Sequence, residues 1–230
     1  MQKSTQIYFI SGIDTDAGKT IVTGLFYKYL LSKNIKAITV KAAQTGCQNI
    51  SDDIIEHRRI AGIELLPEDK AGETCPYLFN HPCSPHLSAR LENKIIDTKK
   101  IADTVFNLTP NYDVILLEGA GGLIVPLTGN YTSADFIKDY HLPVILVTSS
   151  RLGSVNHTLL SLEYMRNNNI KLAALVYNEY PAKDKFIAED SYNIFSNYLS
   201  KHFSESPLIR VPDININPNQ TGEWEKLIIV

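Results

Sequence analysis

Three cysteines in 230 residues, at positions 47, 75 and 83, are too few and too unevenly spaced for a disulfide framework or a paired zinc clamp. They read as reduced packing residues in a reducing compartment. Charge of one sign is lacking too: the formal net charge is −3, and the lysines and arginines are scattered rather than massed. No electrostatic surface for nucleic acid or an anionic membrane is expected. No apolar run approaches the ~20 residues of a membrane span, and the stretch near the start, Ile7 to Ile10, is too short for the core of a signal peptide. A cytoplasmic protein is the expectation. Internal repeats, low-complexity tracts and linkers are absent, and none of the six histidines forms a close metal-ligand pair. His57, His81, His86, His141, His157 and His202 are therefore assigned to the surface or to packing.

What the sequence does have is an apolar fraction of 44%, enough to fill a sizeable core, arranged in a repeating order. Continuous apolar runs at Ile7 to Ile10, Ile35 to Val40, Val114 to Leu117, Val144 to Val147 and Leu172 to Val176 predict strands covered on both faces. Helical spacing at Ile21 to Leu31, Thr98 to Asn107, Ser133 to Asp139, Val155 to Asn167 and Lys183 to Phe203 predicts helices between them. Strand-helix alternation of this kind specifies a single α/β domain over residues 1–230, with a doubly wound, mostly parallel sheet of the P-loop NTPase type. Between Asn49 and Ile95 the pattern breaks into an irregular Pro- and Cys-containing segment, expected to form a wall or lid of the active site.

The strongest motif is Gly12-Ile13-Asp14-Thr15-Asp16-Ala17-Gly18-Lys19-Thr20, set between a predicted strand and a predicted helix. A triphosphate needs inward-turned backbone N–H groups, a glycine that lets the loop approach closely, a lysine for the β/γ oxygens and a hydroxyl for Mg²⁺. Gly18, Lys19 and Thr20 supply the last three in order. The match is a variant, because the strict pattern places a glycine where Ile13 stands and Gly12 comes one residue earlier. The G-x-G-x-x-G of a dinucleotide-binding turn is absent.

Two more charged groups end predicted strands. Glu118 closes Val114-Ile115-Leu116-Leu117 ahead of Gly119-Ala120-Gly121-Gly122, where P-loop proteins place a second group for the metal. Lys41 ends the second strand, so a parallel sheet brings it to the same edge as Lys19. Asp52 and Asp53, after Ser51, either reach Mg²⁺ or cap the next helix.

Together with Lys41 and Thr45-Gly46, Cys83-Ser84-Pro85-His86, Glu118-Gly119-Ala120-Gly121-Gly122 and Leu152-Gly153-Ser154-Val155-Asn156-His157, the loop resembles the dethiobiotin synthetase family along nearly the whole chain. The shifted first glycine is typical of that family. The resemblance implies ATP-dependent ring closure of 7,8-diaminopelargonic acid with CO₂, through a carbamate and its mixed anhydride with phosphate. It implies Asp16, Ala17, Gly18, Lys19 and Thr20 as the ATP loop, with Asn178 and Pro212 at the adenine. Thr20, Asp52 and Glu118 would hold Mg²⁺, and Lys19, Lys41 and Thr15 would carry the chemistry. Thr15, Lys41 and Thr45 would place the diamine and its carbamate, while Gly153 and Asn156 of the second subunit of a homodimer would hold the substrate's carboxylate tail. Two positions depart mildly from the family: Asp16 stands where glutamate is frequent, and Ala42-Ala43 replaces a Pro-Val-type pair. A P-loop switch ATPase of the partitioning or cell-division positioning kind is the alternative. Such proteins carry an extra lysine near the start of the loop, where this chain has Asp14.

Overall fold

The computed structural model describes residues 5–181, 184–213 and 222–227. Chain order runs β1 (Gln6–Gly12), α1 (Lys19–Ser32), β2 (Ala37–Lys41), β3 (Gln44–Thr45), α2 (Asp52–Ala61), α3 (Pro67–Lys70), β4 (Leu78–Phe79), α4 (Pro85–Leu91), α5 (Thr98–Leu108) and β5 (Val114–Gly122). It continues through β6 (Pro126–Thr128), β7 (Tyr131–Thr132), α6 (Ser133–Asp139), β8 (Val144–Ser149), α7 (Ser154–Asn167), β9 (Leu172–Asn178), α8 (Lys185–His202) and β10 (Leu208–Val211). Six strands form one sheet in the order β10-β9-β8-β1-β5-β2, every pair parallel.

Alternation along the strands shows why both faces must be covered. Phe9, Ile115 and Leu117 join the apolar cluster that includes α5 and α6 residues, while Tyr8, Ile10, Val114 and Leu116 join the one beneath α1. A strand whose successive side chains are all buried reads as a continuous apolar run, which is what made these strands visible in the sequence. The helix predicted over Lys183 to Phe203 is observed over Lys185–His202, Lys183 lying outside the described residues.

The expected irregular segment contains more regular structure than its pattern predicts. Ser51 caps α2, its Oγ accepting the Ile54 N–H at 3.3 Å, and Gly62 ends the helix in the left-handed region at φ 74°. Asp52 and Asp53 occupy the first turn and Arg58 and Arg59 the last, as the helix dipole favours. The helix escaped periodicity because its buried face mixes Ile54 and Ile60 with His57 and Arg58. It lies close on α1 because residue 24 is glycine: a Cβ there would come within 2.7 Å of Ile60 Cδ1. The backbone N–H of Lys41 donates to the Thr74 carbonyl at 2.8 Å, tying the same segment to the end of β2. Cys75, next in line, turns its thiol to the Tyr77 carbonyl, and burial pushes that thiol up to about 11. At pH 8 only about a thousandth of it is thiolate. In the folded protein Cys75 should resist iodoacetamide at pH 8, react roughly tenfold faster per pH unit above that, and label at once in urea; peptide mapping reads the outcome.

Candidate active site

Parallel strands deliver their carboxyl ends to one edge, and the register decides which side chains meet there. Lys41 of β2 pairs with Glu118 of β5, and Glu118 pairs in turn with Ile10 of β1, directly before the loop at 12–20. On the other side of β1, Ser149 of β8 pairs with Asn178 of β9, and Asn178 with Val211 of β10. This edge is where open α/β sheets bind ligands.

The loop makes a short 3₁₀ turn over Thr15–Ala17 and then enters α1 through Gly18, at φ 90°. That left-handed conformation favours glycine, and space demands it as well: a Cβ on Gly18 would lie 2.2 Å from Asn178 Nδ2. The Asn178 amide donates to the Ala17 carbonyl at 3.2 Å, while its Oδ1 accepts from the Tyr180 N–H at 3.1 Å. Asn178 therefore clamps the loop to the end of β9. Pro212, half-buried, follows β10 on the same edge. Lys19 is buried and folds its ammonium back on the Asp14 and Thr15 carbonyls at 3.1 and 3.2 Å. Burial pulls its pKa down to about 8, against the supporting charge of Glu118.

At the centre stands Glu118, with no exposed surface. Its Oε1 accepts from Lys41 Nζ at 2.8 Å and Thr20 Oγ1 at 3.2 Å. Its Oε2 accepts from Thr23 Oγ1 at 2.8 Å and lies 3.0 Å from His57 Nε2. Burial raises this carboxyl's pKa, but Lys41 and His57 outweigh it and hold the group well below the usual range. Lys41 shows the mirror image: burial works against its ammonium, and Glu118 and Asp53 more than restore it, leaving the pKa above the ordinary lysine value. Lys41 also pairs with Asp53 Oδ2, whose other oxygen accepts from Thr20 Oγ1 at 3.0 Å.

The geometry also separates the two acids at the start of α2. Asp53, not Asp52, reaches Thr20 and Lys41. With Ser51 as the cap, the second helical residue turns toward α1 and the sheet edge, while Asp52 on the first is exposed. His57, read from sequence as packing or surface, is buried, and its partners are Glu118 and Thr39. The available signal was its position four residues after Asp53, on the same helical face. His57 and Thr23 are the site neighbours that sequence reasoning missed.

The remaining predicted residues lie farther out. Thr15 and Asp16 are exposed on the loop, and Thr45 is half-buried on β3, paired with Phe79 of β4. Thr15 lines a cavity of about 400 Å³ with Ile13, Gly122, Ile124, Leu160 and Tyr164. Gly153 and Asn156 are exposed at the start of α7.

These features define a P-loop nucleotide-binding domain, and a family model described as an AAA domain matches residues 6–215. The curated relatives narrow the class. ATP-dependent dethiobiotin synthetase BioD 2 of Haemophilus ducreyi is 50% identical over 204 residues, covering 89% of this chain and 97% of the relative. ATP-dependent dethiobiotin synthetase BioD of Chlorobaculum tepidum is 47% identical over 224 residues, covering 97% and 93%. The chain belongs to the ATP-dependent dethiobiotin synthetase family, ATP-using ligases of biotin synthesis. A ParA family ATPase from Chlorobium tepidum superimposes with TM-score 0.55 over 95% of both chains at 14% identity, a likeness of fold alone. No helix among the described residues is long and apolar enough to cross a membrane.

Proposed function

We propose that the sheet edge formed by Lys19, Lys41, Thr20, Asp53 and Glu118 brings a substrate carbamate against the γ-phosphate of ATP, in one domain acting in the cytoplasm. The observation that carries this reading is the placement of Lys41. Its ammonium is buried at the end of β2, beside the hydroxyl that follows the loop lysine, and is anchored by Glu118 and the Gly119 carbonyl at 3.2 Å. Two reacting anions repel each other, and fixed cations at their meeting point lower that cost most where water is excluded.

The proposed sequence starts when one diamine nitrogen bonds to the carbon of CO₂ and releases a proton, giving a carbamate. A carbamate oxygen then bonds to the γ-phosphorus as the bond to ADP breaks. The second amine attacks the carbonyl carbon, loses a proton and expels phosphate, which closes the five-membered ureido ring. Lys19 leaves the Asp14 and Thr15 carbonyls for the transferring phosphoryl group, and Lys41 holds the carbamate. Asp16, Ala17, Gly18 and Thr20 surround the phosphates, and Asn178 and Pro212 lie on the adenine side of the loop. Thr15 and Thr45 offer hydroxyls to the diamine, whose chain occupies the cavity beneath Ile124 and Leu160.

Mg²⁺ fits the residues present. Thr20 Oγ1, the Asp53 carboxylate and Glu118 Oε1 are hard oxygens already gathered by mutual hydrogen bonds. When bound there, the ion would neutralise charge on the transferring phosphoryl oxygens.

The test is incubation with 7,8-diaminopelargonic acid, bicarbonate and MgATP, followed by mass spectrometry. Dethiobiotin and ADP should form in equal amounts, and excess EDTA should abolish both. Diamine-independent hydrolysis without a ring product would instead favour a switch ATPase.

A homodimer is part of the reading. Leu152, Leu160 and Ile124 are 81, 61 and 52% exposed around the start of α7, an apolar surface suited to a second copy. Gly153 and Asn156 of the second copy would receive the substrate's carboxylate. Leu160→Glu is expected to yield a monomer in analytical ultracentrifugation, with the KM for the diamine raised at least ~10-fold and nucleotide affinity retained. A variant that stays dimeric with unchanged KM would remove that surface from the account.

A further inference from the structure

Four side chains face the Glu118 carboxylate, Thr20 sharing its single hydroxyl proton with Asp53, and they divide by side. Thr20 and Lys41 meet Oε1, on the side proposed for the ion, while Thr23 and His57 meet Oε2 behind it. The support behind His57 is itself built. Its Nδ1 lies 3.0 Å from Thr39 Oγ1, which also accepts from Arg58 Nη1 at 2.8 Å. Arg58 forks onto Asp69, with Nε and Nη2 each 2.8 Å from a carboxylate oxygen. Asp69 also accepts from Thr74 Oγ1 and the Leu66 N–H, both at 2.8 Å. The Tyr27 ring covers the guanidinium at 5.0 Å. His57, Arg58, Thr39 and Asp69 are all buried.

Donor inventory gives this chain a direction. A guanidinium has no acceptor, so Thr39 must accept from it, and its own hydroxyl proton is available to Nδ1 of His57. With Nδ1 accepting, the ring proton sits on Nε2 and points at Glu118. Placed on Nδ1 instead, it would leave the Nε2 lone pair facing a carboxylate oxygen. Asp53 and His57 also lie one turn apart on α2, so a single helix presents one carboxylate directly and orients the other through its imidazole.

We propose that His57 is a positioning residue for the divalent ion: the chain Arg58–Thr39–His57 pins Oε2 of Glu118 so that Oε1 stays turned toward the metal. This inference rests on the Mg²⁺ reading above, and it deepens that reading. Partners behind a ligand fix its orientation and commonly change metal affinity by about 10–100-fold.

Mn²⁺ titrations followed by the EPR signal of the free ion separate the two ideas without using turnover. Glu118→Gln should weaken Mn²⁺ binding by at least ~30-fold, and His57→Asn, whose amide reaches only as far as the Nδ1 position, by ~10-fold. His57→Gln places an N–H near the Nε2 position and should stay within about threefold of the parent protein. Thr39→Val, which removes the hydroxyl but keeps the shape, should weaken binding ~3–10-fold in the same direction and carries the test should His57→Asn fail to fold. The ¹⁵N spectrum of the His57 ring should report a proton on Nε2. Unchanged binding in His57→Asn and Thr39→Val, equal loss in the Asn and Gln variants, or an Nε2 without a proton would overturn the positioning role. Unchanged binding in Glu118→Gln would remove the metal site itself, a distinct failure.

Discussion

Lys41→Met is expected to lower kcat by about 10²–10³-fold while nucleotide affinity stays within about threefold, as measured by steady-state kinetics and nucleotide titration. Methionine keeps the unbranched stem in its buried channel and removes only the charge. That charge lies between Glu118 and Asp53, so its loss leaves a buried carboxylate without its main counter-charge. Breaking such a pair costs about 3–5 kcal/mol. A divalent cation can replace the ammonium between the same oxygens, so Mg²⁺ should raise the thermal midpoint of the variant more than that of the parent protein. Equal losses of turnover and nucleotide binding would mean that Lys41 serves the phosphate loop and not the carbamate.

Gly18→Ala should have an effect of similar size on the other side of the reaction. Alanine must adopt φ near 90° and bring its Cβ to 2.2 Å from the Asn178 amide, the group that holds the Ala17 carbonyl. The left-handed conformation alone costs about 1–2 kcal/mol, and the contact forces either the loop or Asn178 to move. kcat/KM for ATP is expected to fall at least ~10²-fold, corresponding to about 2.7 kcal/mol. Because both residues share one contact, Asn178→Ala should recover part of that loss in the double variant, giving a non-additive cycle. Strict additivity would show that the two residues act independently.

The sequence carried the frame of this site well, for a physical reason. Strands buried on both faces must be apolar throughout, so Val114 to Leu117 and Val144 to Val147 stood out, and the charged residues ending two of the buried runs, Lys41 and Glu118, marked the sheet edge. Lys41 and Glu118 could be assigned to that edge from strand ends alone. Their direct pairing could not, because it depends on the register of β2 against β5, which no local pattern encodes. The α2 region was the least legible part. A helix that turns Asp53, His57 and Arg58 inward has little apolar periodicity to reveal it, so its polar inner face read as irregular chain. The choice between Asp52 and Asp53 turned on a single helical step of about 100°, set by Ser51 as cap and by the close approach to Gly24. His57 looked like any other isolated histidine because its partners, Thr39 and Glu118, lie 18 and 61 residues away.

The ParA-like fold supplies a contrast of mechanism. A switch protein needs its nucleotide only to be bound and hydrolysed by water, whereas this site is read as excluding water from an encounter between two anions. The oxygen that reaches phosphorus therefore distinguishes the two most directly. In turnover begun with ¹⁸O-labelled bicarbonate in ordinary water, sampled before the label exchanges, the account predicts released phosphate that carries one ¹⁸O per ring formed. Released phosphate without ¹⁸O, with dethiobiotin accumulating or not, would contradict it.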